Sequence, residues 1–398
     1  MRILQLCSKI PYPAKDGGCL AMLNMAEMMY LQGIEVKILA METHKHLVPE
    51  NGYPAEFKQK FTPESSFINT KVAPINALNN LLFSKKSYHL DRFTDKGYDQ
   101  KLLTILYQFC PDVIVLDSLF TCGYIDTIKL HSKAKIVYRA HNIEHLIWKE
   151  IAAKTKSLFK KYYLLVQSRR LKNEELKAIS NCDGIVAITN KDAAFFKQHF
   201  FTIPILTLPF TLDIARYSCE NNFHNKSLFF IGAMDWYPNL EGIKWFIDKV
   251  WDDILKQHPE AKLYLAGKSM PADLKSLAHK NIINLGEVSD AREFMKNAPI
   301  MIAPIFSGGG LKIKIVEAMA MGKIVICNSQ AAFGIAAAHH KNIMLANSSA
   351  EFIVLINEIF RNPNQYSYVG ENARLLIEKD FNAETKGKEL ALFLKSFN

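Results

Sequence analysis

Short β-branched runs alternate with longer amphipathic stretches along this chain, and the series starts afresh once. Ile3–Leu6, Val36–Ala40, Val113–Leu116, Ile136–Tyr138, Ile185–Ile188 and Ile205–Leu208 are runs of three to five residues, short enough for strands buried on both faces. Between them, Ala21–Leu31, Lys101–Phe109, Glu144–Ile179 and Asp192–His199 carry helical spacing. A second set of strands is expected at Ser227–Ile231, Lys262–Ala266, Ile282–Leu285, Ile300–Ala303, Ile324–Cys327 and Ile343–Ala346. Its helices fit at Asn239–Lys256, Pro271–Ala278, Ala291–Lys296, Leu311–Met321 and Ala350–Ile359. Strand, helix, strand repeated in this way predicts an α/β protein of doubly wound parallel sheets with helices on both faces.

The two series meet in a polar segment, Asp213–Lys226. The boundary is placed there: residues 1–213 form a first domain, 214–380 a second, and 381–398 a closing helix that can pack back on either, the first being the expected partner. Two such domains imply a cleft, with ligands at the carboxyl ends of the strands.

Composition narrows the functional classes. The 398 residues carry a net charge of +10 with 49% apolar side chains, which describes a folded chain and argues against disorder. No apolar run approaches the roughly 18 residues of a membrane span, and the N-terminal run is shorter than a signal-peptide core. Seven scattered cysteines form no CxxC pair, so neither a disulfide framework nor a zinc site is indicated. The expected location is the cytoplasm, peripheral on the inner face of the cell membrane. Residues 151–200 hold 10 basic and 4 acidic side chains. Within them, Lys154–Leu165 interleaves bases with aromatics, as an interfacial helix on anionic lipid does and as an ordinary solvated helix also does. No nucleic-acid-binding motif accompanies this charge, so nucleic acid is not an expected partner.

The strongest local signal runs from Pro304 to Gly322. A buried strand ends, Ser307-Gly308-Gly309-Gly310 follows, and a helix opens near Leu311. Glycines let an anion approach backbone N–H groups closely, and a helix start adds unpaired donors and a positive dipole end. Lys312 and Lys314 fall in the first turn, where the dipole disfavours cations; a phosphate ligand offsets that cost, and two solvated lysines on a flexible loop are the plainer alternative. Glu317, three residues after Lys314, is placed either to accept hydrogen bonds from ligand hydroxyls or to pair with Lys314. Asn239 is read as a helix cap, Trp236 as core, and Asp117 as a loop cap at a strand end.

The segment from Lys314 through Glu317-Ala-Met-Ala to Gly322 resembles the nucleotide-sugar motif of the retaining glycosyltransferases of family 4, whose fold is GT-B: two Rossmann-like domains facing across a cleft. The likeness extends to Phe230–Asn239, Leu263–Gly267 and Ile283–Val288. It continues more weakly to Pro11–Gly18 and to Val137–Asn142, the strand that carries the family's donor-side histidine. The resemblance implies that Glu317 binds ribose hydroxyls and that Lys312, Lys314 and the amides of Ser307, Gly308, Gly309, Gly310 and Leu311 meet the diphosphate. By the same resemblance Gly267 belongs to the strand ends around the nucleotide, Val288 contacts the base through its backbone, and Gly17 and Gly18 let the first domain approach the donor sugar and acceptor. His141 is implied to hydrogen-bond donor-sugar hydroxyls; spacing alone equally allows a structural histidine.

Two departures stand out. The family's first glutamate is replaced by Gly309, and its usual Arg and Lys after the first strand of the second domain by Ala233 and Glu241. The expected function is retaining transfer of a sugar from a nucleoside-diphosphate sugar to a hydroxyl of a glycan or lipid-linked acceptor, in bacterial surface polysaccharide or glycoconjugate synthesis. No cofactor is expected, since the nucleotide sugar is the donor substrate, and no Asp-x-Asp pair offers a metal site. A catalytically inactive nucleotide-sugar-binding protein and a sugar epimerase or phosphorylase on the same fold remain the alternatives. A nicotinamide oxidoreductase is disfavoured, because the loop after Leu6 lacks G-x-G-x-x-G.

Overall fold

The structure, a computed structural model, describes residues 1–14, 17–49, 52–275, 281–308 and 310–397. The chain divides into two compact units: Met1–Thr211 with Ala383–Asn398, and Leu212–Asn382.

The first unit is built on seven strands: β1 (Arg2–Cys7), β2 (Glu35–Glu42), β3 (Glu64–Phe67), β4 (Val113–Asp117), β5 (Lys135–Ala140), β6 (Gly184–Ala187) and β7 (Ile205–Thr207). Their order is β3-β2-β1-β4-β5-β6-β7, and every pairing is parallel. The central strands are buried throughout because helices cover both faces. On one face Leu4, Leu116 and Tyr138 pack with Leu102 and Leu171; on the other Ile3, Val115 and Val137 pack with Met25 and Leu394. Leu394 lies in the closing helix Ala383–Lys395, whose Gly387 sits against Met28 and Gln32 of the helix Gly17–Leu31.

The continuous helix expected over 144–179 is two helices, Glu144–Lys154 and Leu158–Ile179. Thr155 closes the first, and Ser157 caps the second by accepting from the Lys160 N–H. Glu175 then reaches back from the second helix to the start of the first. Its carboxylate accepts from the Glu144 and His145 backbone N–H groups at 3.0 and 3.1 Å and pairs with His145 Nδ1 at 2.6 Å. That fully buried carboxylate supplies the cap that Ile143 lacks.

The second unit has six strands: β8 (Ser227–Ile231), β9 (Lys262–Ala266), β10 (Ile282–Asn284), β11 (Ile300–Ala303), β12 (Ile324–Cys327) and β13 (Met344–Leu345). Their order is β10-β9-β8-β11-β12-β13, again all parallel. In both sheets the order reverses at the first strand, between β1 and β4 and between β8 and β11. Chain connections diverge there and leave room for a ligand at the carboxyl ends.

Candidate functional site

In the second unit the loops after β8 and β11 flank the reversal point. The loop after β11 runs through Ser307, Gly308 and Gly310, all exposed, into the helix Ile313–Ala320. Gly308 and Gly310 have φ of +85° and +78°, which favours glycine, and a Cβ on Gly308 would lie 2.6 Å from the Trp236 ring. Gly309 lies outside the described residues. Among the described residues no acceptor pairs with the N–H groups of Gly308, Gly310 or Leu311, and the helix start leaves the Ile313 and Lys314 N–H groups likewise without one. This is a row of donors open to an anion.

The two lysines differ. The helix opens at Ile313 rather than near Leu311, so Lys312 is its N-cap residue and contributes no side-chain cap. Lys312 is buried, and its ammonium turns back on its own loop, donating to the carbonyls of Gly308 at 3.2 Å and Gly310 at 2.8 Å. It lies 5.8 Å from the centre of the Trp236 ring. Instead of projecting as an independent phosphate ligand, Lys312 holds the loop's shape. The two loop carbonyls that receive its ammonium fix that direction.

Lys314 donates to Asn239 Oδ1 at 2.7 Å and sits 4.1 Å from the centre of the buried Phe230 ring. Burial, and secondarily the charge of Lys312, push its pKa down to about 7. At the positive end of a helix and with no carboxylate bonded to it among the described residues, Lys314 is a cation suited to an anionic ligand. Asn239 does not cap its helix. Pro238 starts that helix at Tyr237, which leaves Asn239 inside it and buried, its amide donating to the Ala233 carbonyl at 2.8 Å while its oxygen receives Lys314. Asn239 therefore ties Lys314 to the end of β8. Trp236 is exposed rather than core.

Around this pair the strand ends are drawn together. Gly267, after β9, lies so close to β8 that a Cβ would fall 1.8 Å from the Gly232 carbonyl oxygen. Its N–H donates to the Gly286 carbonyl at 2.7 Å, beyond β10 and two residues before the half-buried Val288. Gly267 is thus an architectural glycine of the strand ends. Ser307 donates to Glu241 at 3.3 Å, so the glutamate that stands where a family cation is usual carries the loop instead. Leu311 is half-buried and packs near Gly334.

Glu317 is half-buried and accepts from the Tyr217 hydroxyl at 3.0 Å; it does not pair with Lys314. Burial raises its pKa, an effect opposed by Tyr217 and the charge of Arg292. Tyr217 went unnoticed in the sequence: it lies 100 residues from Glu317, in a polar stretch without a pattern.

In the first unit His141 follows β5 and pairs through Nε2 with Asp117 Oδ1, at the end of the neighbouring β4. Asp117 is not a loop cap. It is fully buried, accepts from Gln5 Nε2 at 2.6 Å, and faces the buried Arg139 guanidinium at 3.4 Å. Burial pushes its pKa up, but Arg139, His141 and the Gln5 bond outweigh that and hold it below the ordinary carboxylate value. Glu144, three residues past His141, is pushed up to about 7 by burial and by Glu175. Gly17 and Gly18 open the helix Gly17–Leu31; Gly17 is exposed with open space at its Cβ position, Gly18 is half-buried, and the adjoining Asp16 lies outside the described residues. His141, Gly17 and Gly18 belong to the first unit, all other candidate residues to the second. Among the described residues no three His, Cys, Asp or Glu side chains gather as metal ligands would.

Comparison with known proteins places these features in context. Residues 225–362 match the family described as Glycosyl transferases group 1. An uncharacterized 44.6 kDa protein in the cps region of Klebsiella pneumoniae is 22% identical over 408 residues, spanning 96% of this chain and 97% of that one. An uncharacterized glycosyltransferase of Haemophilus influenzae is 23% identical over 60% of this chain and 66% of its own. Among solved structures, Anabaena HepE in complex with UDP superposes with a TM-score of 0.64 at 15% identity, covering 100% of both chains. Sucrose-phosphate synthase from Thermosynechococcus elongatus gives 0.68 at 13% identity over 100% of this chain and 99% of that one. The fold class is thus GT-B, as the resemblance implied.

Proposed function

We propose that this chain, which carries a glycosyl transferases group 1 segment over residues 225–362, is a retaining glycosyltransferase that uses a nucleoside-diphosphate sugar. The observation that carries the reading is the set of backbone N–H groups of Gly308, Gly310, Leu311, Ile313 and Lys314 that meet no acceptor among the described residues, beside an ammonium held by the neutral Asn239 and the Phe230 ring. A diphosphate supplies what both lack. The Anabaena neighbour was solved with UDP and with UDP-glucose, which makes a uridine donor the first to test. The Klebsiella relative from a cps region supports an acceptor on a growing glycan or its lipid-linked precursor, in surface polysaccharide or glycoconjugate synthesis.

Chemically, departure of the nucleoside diphosphate breaks the bond between the anomeric carbon and the phosphate oxygen, with both electrons leaving on the diphosphate. Lys314 and the loop amides stabilise that developing charge in place before the reaction begins. The acceptor oxygen bonds the same carbon on the same face, and a donor phosphate oxygen takes its proton. In this scheme His141, oriented by Asp117, hydrogen-bonds hydroxyls of the donor sugar, and Glu317 accepts from the ribose in exchange for, or together with, Tyr217.

The test is calorimetric titration with UDP and UDP-sugars, followed by turnover with glycan acceptors. Glu317→Ala should weaken nucleotide binding about tenfold, the worth of roughly one charge-assisted hydrogen bond. Binding unchanged by Glu317→Ala removes that residue from the site. Failure of every nucleoside diphosphate to bind the wild-type chain removes the enzyme reading. Conversion of the donor incubated alone, without any acceptor, would favour an epimerase.

A further inference from the structure

One helix of the first unit is turned inside out. Pro74–Phe83 carries Ile75, Leu78, Leu82 and Phe83 on its outward side, with Ile75 74% and Phe83 85% exposed. The residue it buries is polar: Asn80, whose carbonyls accept from Arg170 at 3.0 and 3.2 Å and whose side-chain oxygen also accepts from Gln167 at 3.1 Å. The Leu81 carbonyl takes a further bond from Arg170 at 2.9 Å. Ordinary surface helices do the reverse, burying leucine and exposing asparagine. Hydrogen bonding fastens the polar face inward here and leaves the apolar face uncovered.

The helix holding Arg170 and Gln167 presents a second patch at its start, where Leu158 and Phe159 are 79% and 91% exposed and Tyr162 is also exposed. The two segments are also joined where the Ser87 and Tyr88 N–H groups donate to Glu174 and Gln167. Their charges agree. Residues 65–90 contain Lys71, Lys85 and Lys86 and no acid; residues 151–173 contain Lys154, Lys156, Lys160, Lys161, Arg169, Arg170 and Lys172 and no acid. Exposed apolar side chains flanked along the chain by bases, with aromatics at the tips, match an anionic bilayer surface: hydrocarbon takes the first and phosphate headgroups the second. A second copy of the chain would set these like charges against each other.

We propose that Pro74–Phe83 and the start of Leu158–Ile179 form a docking face for anionic phospholipid bilayers. The proposal rests on this surface alone and stands or falls separately from the assigned reaction. No helix among the described residues is long and apolar enough to cross a membrane, so attachment is interfacial.

The test is co-sedimentation of the full chain with phosphatidylglycerol–phosphatidylcholine vesicles and with phosphatidylcholine alone, at low and high salt. Binding is expected to the anionic vesicles, to fall at least tenfold without phosphatidylglycerol, and to weaken with salt. Leu82→Ser with Phe83→Ser should lower it about tenfold, and Lys160→Glu with Lys161→Glu similarly. Leu82, Phe83 and Lys160 are exposed, Lys161 is half-buried, and none belongs to the nucleotide site, so UDP affinity should not move. Absence of binding to anionic vesicles at low salt, or equal binding by both double variants, overturns the proposal. So does a concentration-dependent dimer that the Leu82/Phe83 variant abolishes without any wild-type lipid binding.

Discussion

Replacing Lys314 with methionine should stabilise the ligand-free protein while reducing donor turnover by about 10²–10³. Both effects follow from one environment. Burial and the nearby Lys312 lower the Lys314 pKa from 10.5 to about 7. The folded value lies below the unfolded one, so the unfolded chain binds more protons between those limits, and stability rises with pH across that window. The full penalty is present below about pH 7. At about 1.4 kcal/mol per pKa unit the penalty at neutral pH is roughly 4 kcal/mol, which exceeds the roughly 1 kcal/mol lost with the Asn239 hydrogen bond and leaves a net gain of about 3 kcal/mol. Chemical denaturation across pH reads the first effect, and steady-state transfer from a nucleotide sugar the second. A variant that is less stable and fully active would mean that Lys314 is an ordinary core-edge lysine.

Asp117→Ala should act in the opposite sense and more harshly on the fold. Among the described residues it leaves the buried Arg139 guanidinium with the Ala21 carbonyl at 2.8 Å, and it frees His141 to rotate. Removing one member of a buried ion pair costs about 3–5 kcal/mol, enough to lower the melting temperature by ten degrees or more. Because the Asp117 pKa is held below 3.8, its contribution is complete above that value and disappears as pH falls through the folded pKa. The gap between wild type and Asp117→Ala should therefore close in acid. Asp117→Asn keeps the volume and an acceptor without the charge, so it should destabilise less. A gap that persists undiminished at low pH would show that packing, not charge, is what Asp117 contributes.

The strands were legible because parallel sheets covered on both faces demand unbroken apolar runs, and Val113–Leu116 or Ile300–Ala303 admit no other reading. β3 escaped for the same reason: Glu64-Ser-Ser-Phe67 is a polar edge strand with no apolar run to find. The break between Lys154 and Leu158 was hidden because helical spacing continues across it, and Glu175, which caps the start of the first helix, comes from the second, 30 residues away. At the site, residue positions were readable and side-chain directions were not. Lys312 and Lys314 look equivalent as letters, yet one bonds its own loop and the other reaches β8. Tyr217 with Glu317, and Asp117 with His141, are pairings made by strand order and chain return, which no local window contains.

The decisive experiment is an NMR titration of the Lys314 ammonium, assigned by loss of its signal in Lys314→Met, with and without saturating UDP. An anion seated on the Gly308–Lys314 loop must stabilise the protonated form, so a midpoint near 7 in the free protein should rise by about 2 pH units or more in the complex. A midpoint that stays where it was while UDP is demonstrably bound would mean that the nucleotide's phosphates lie elsewhere.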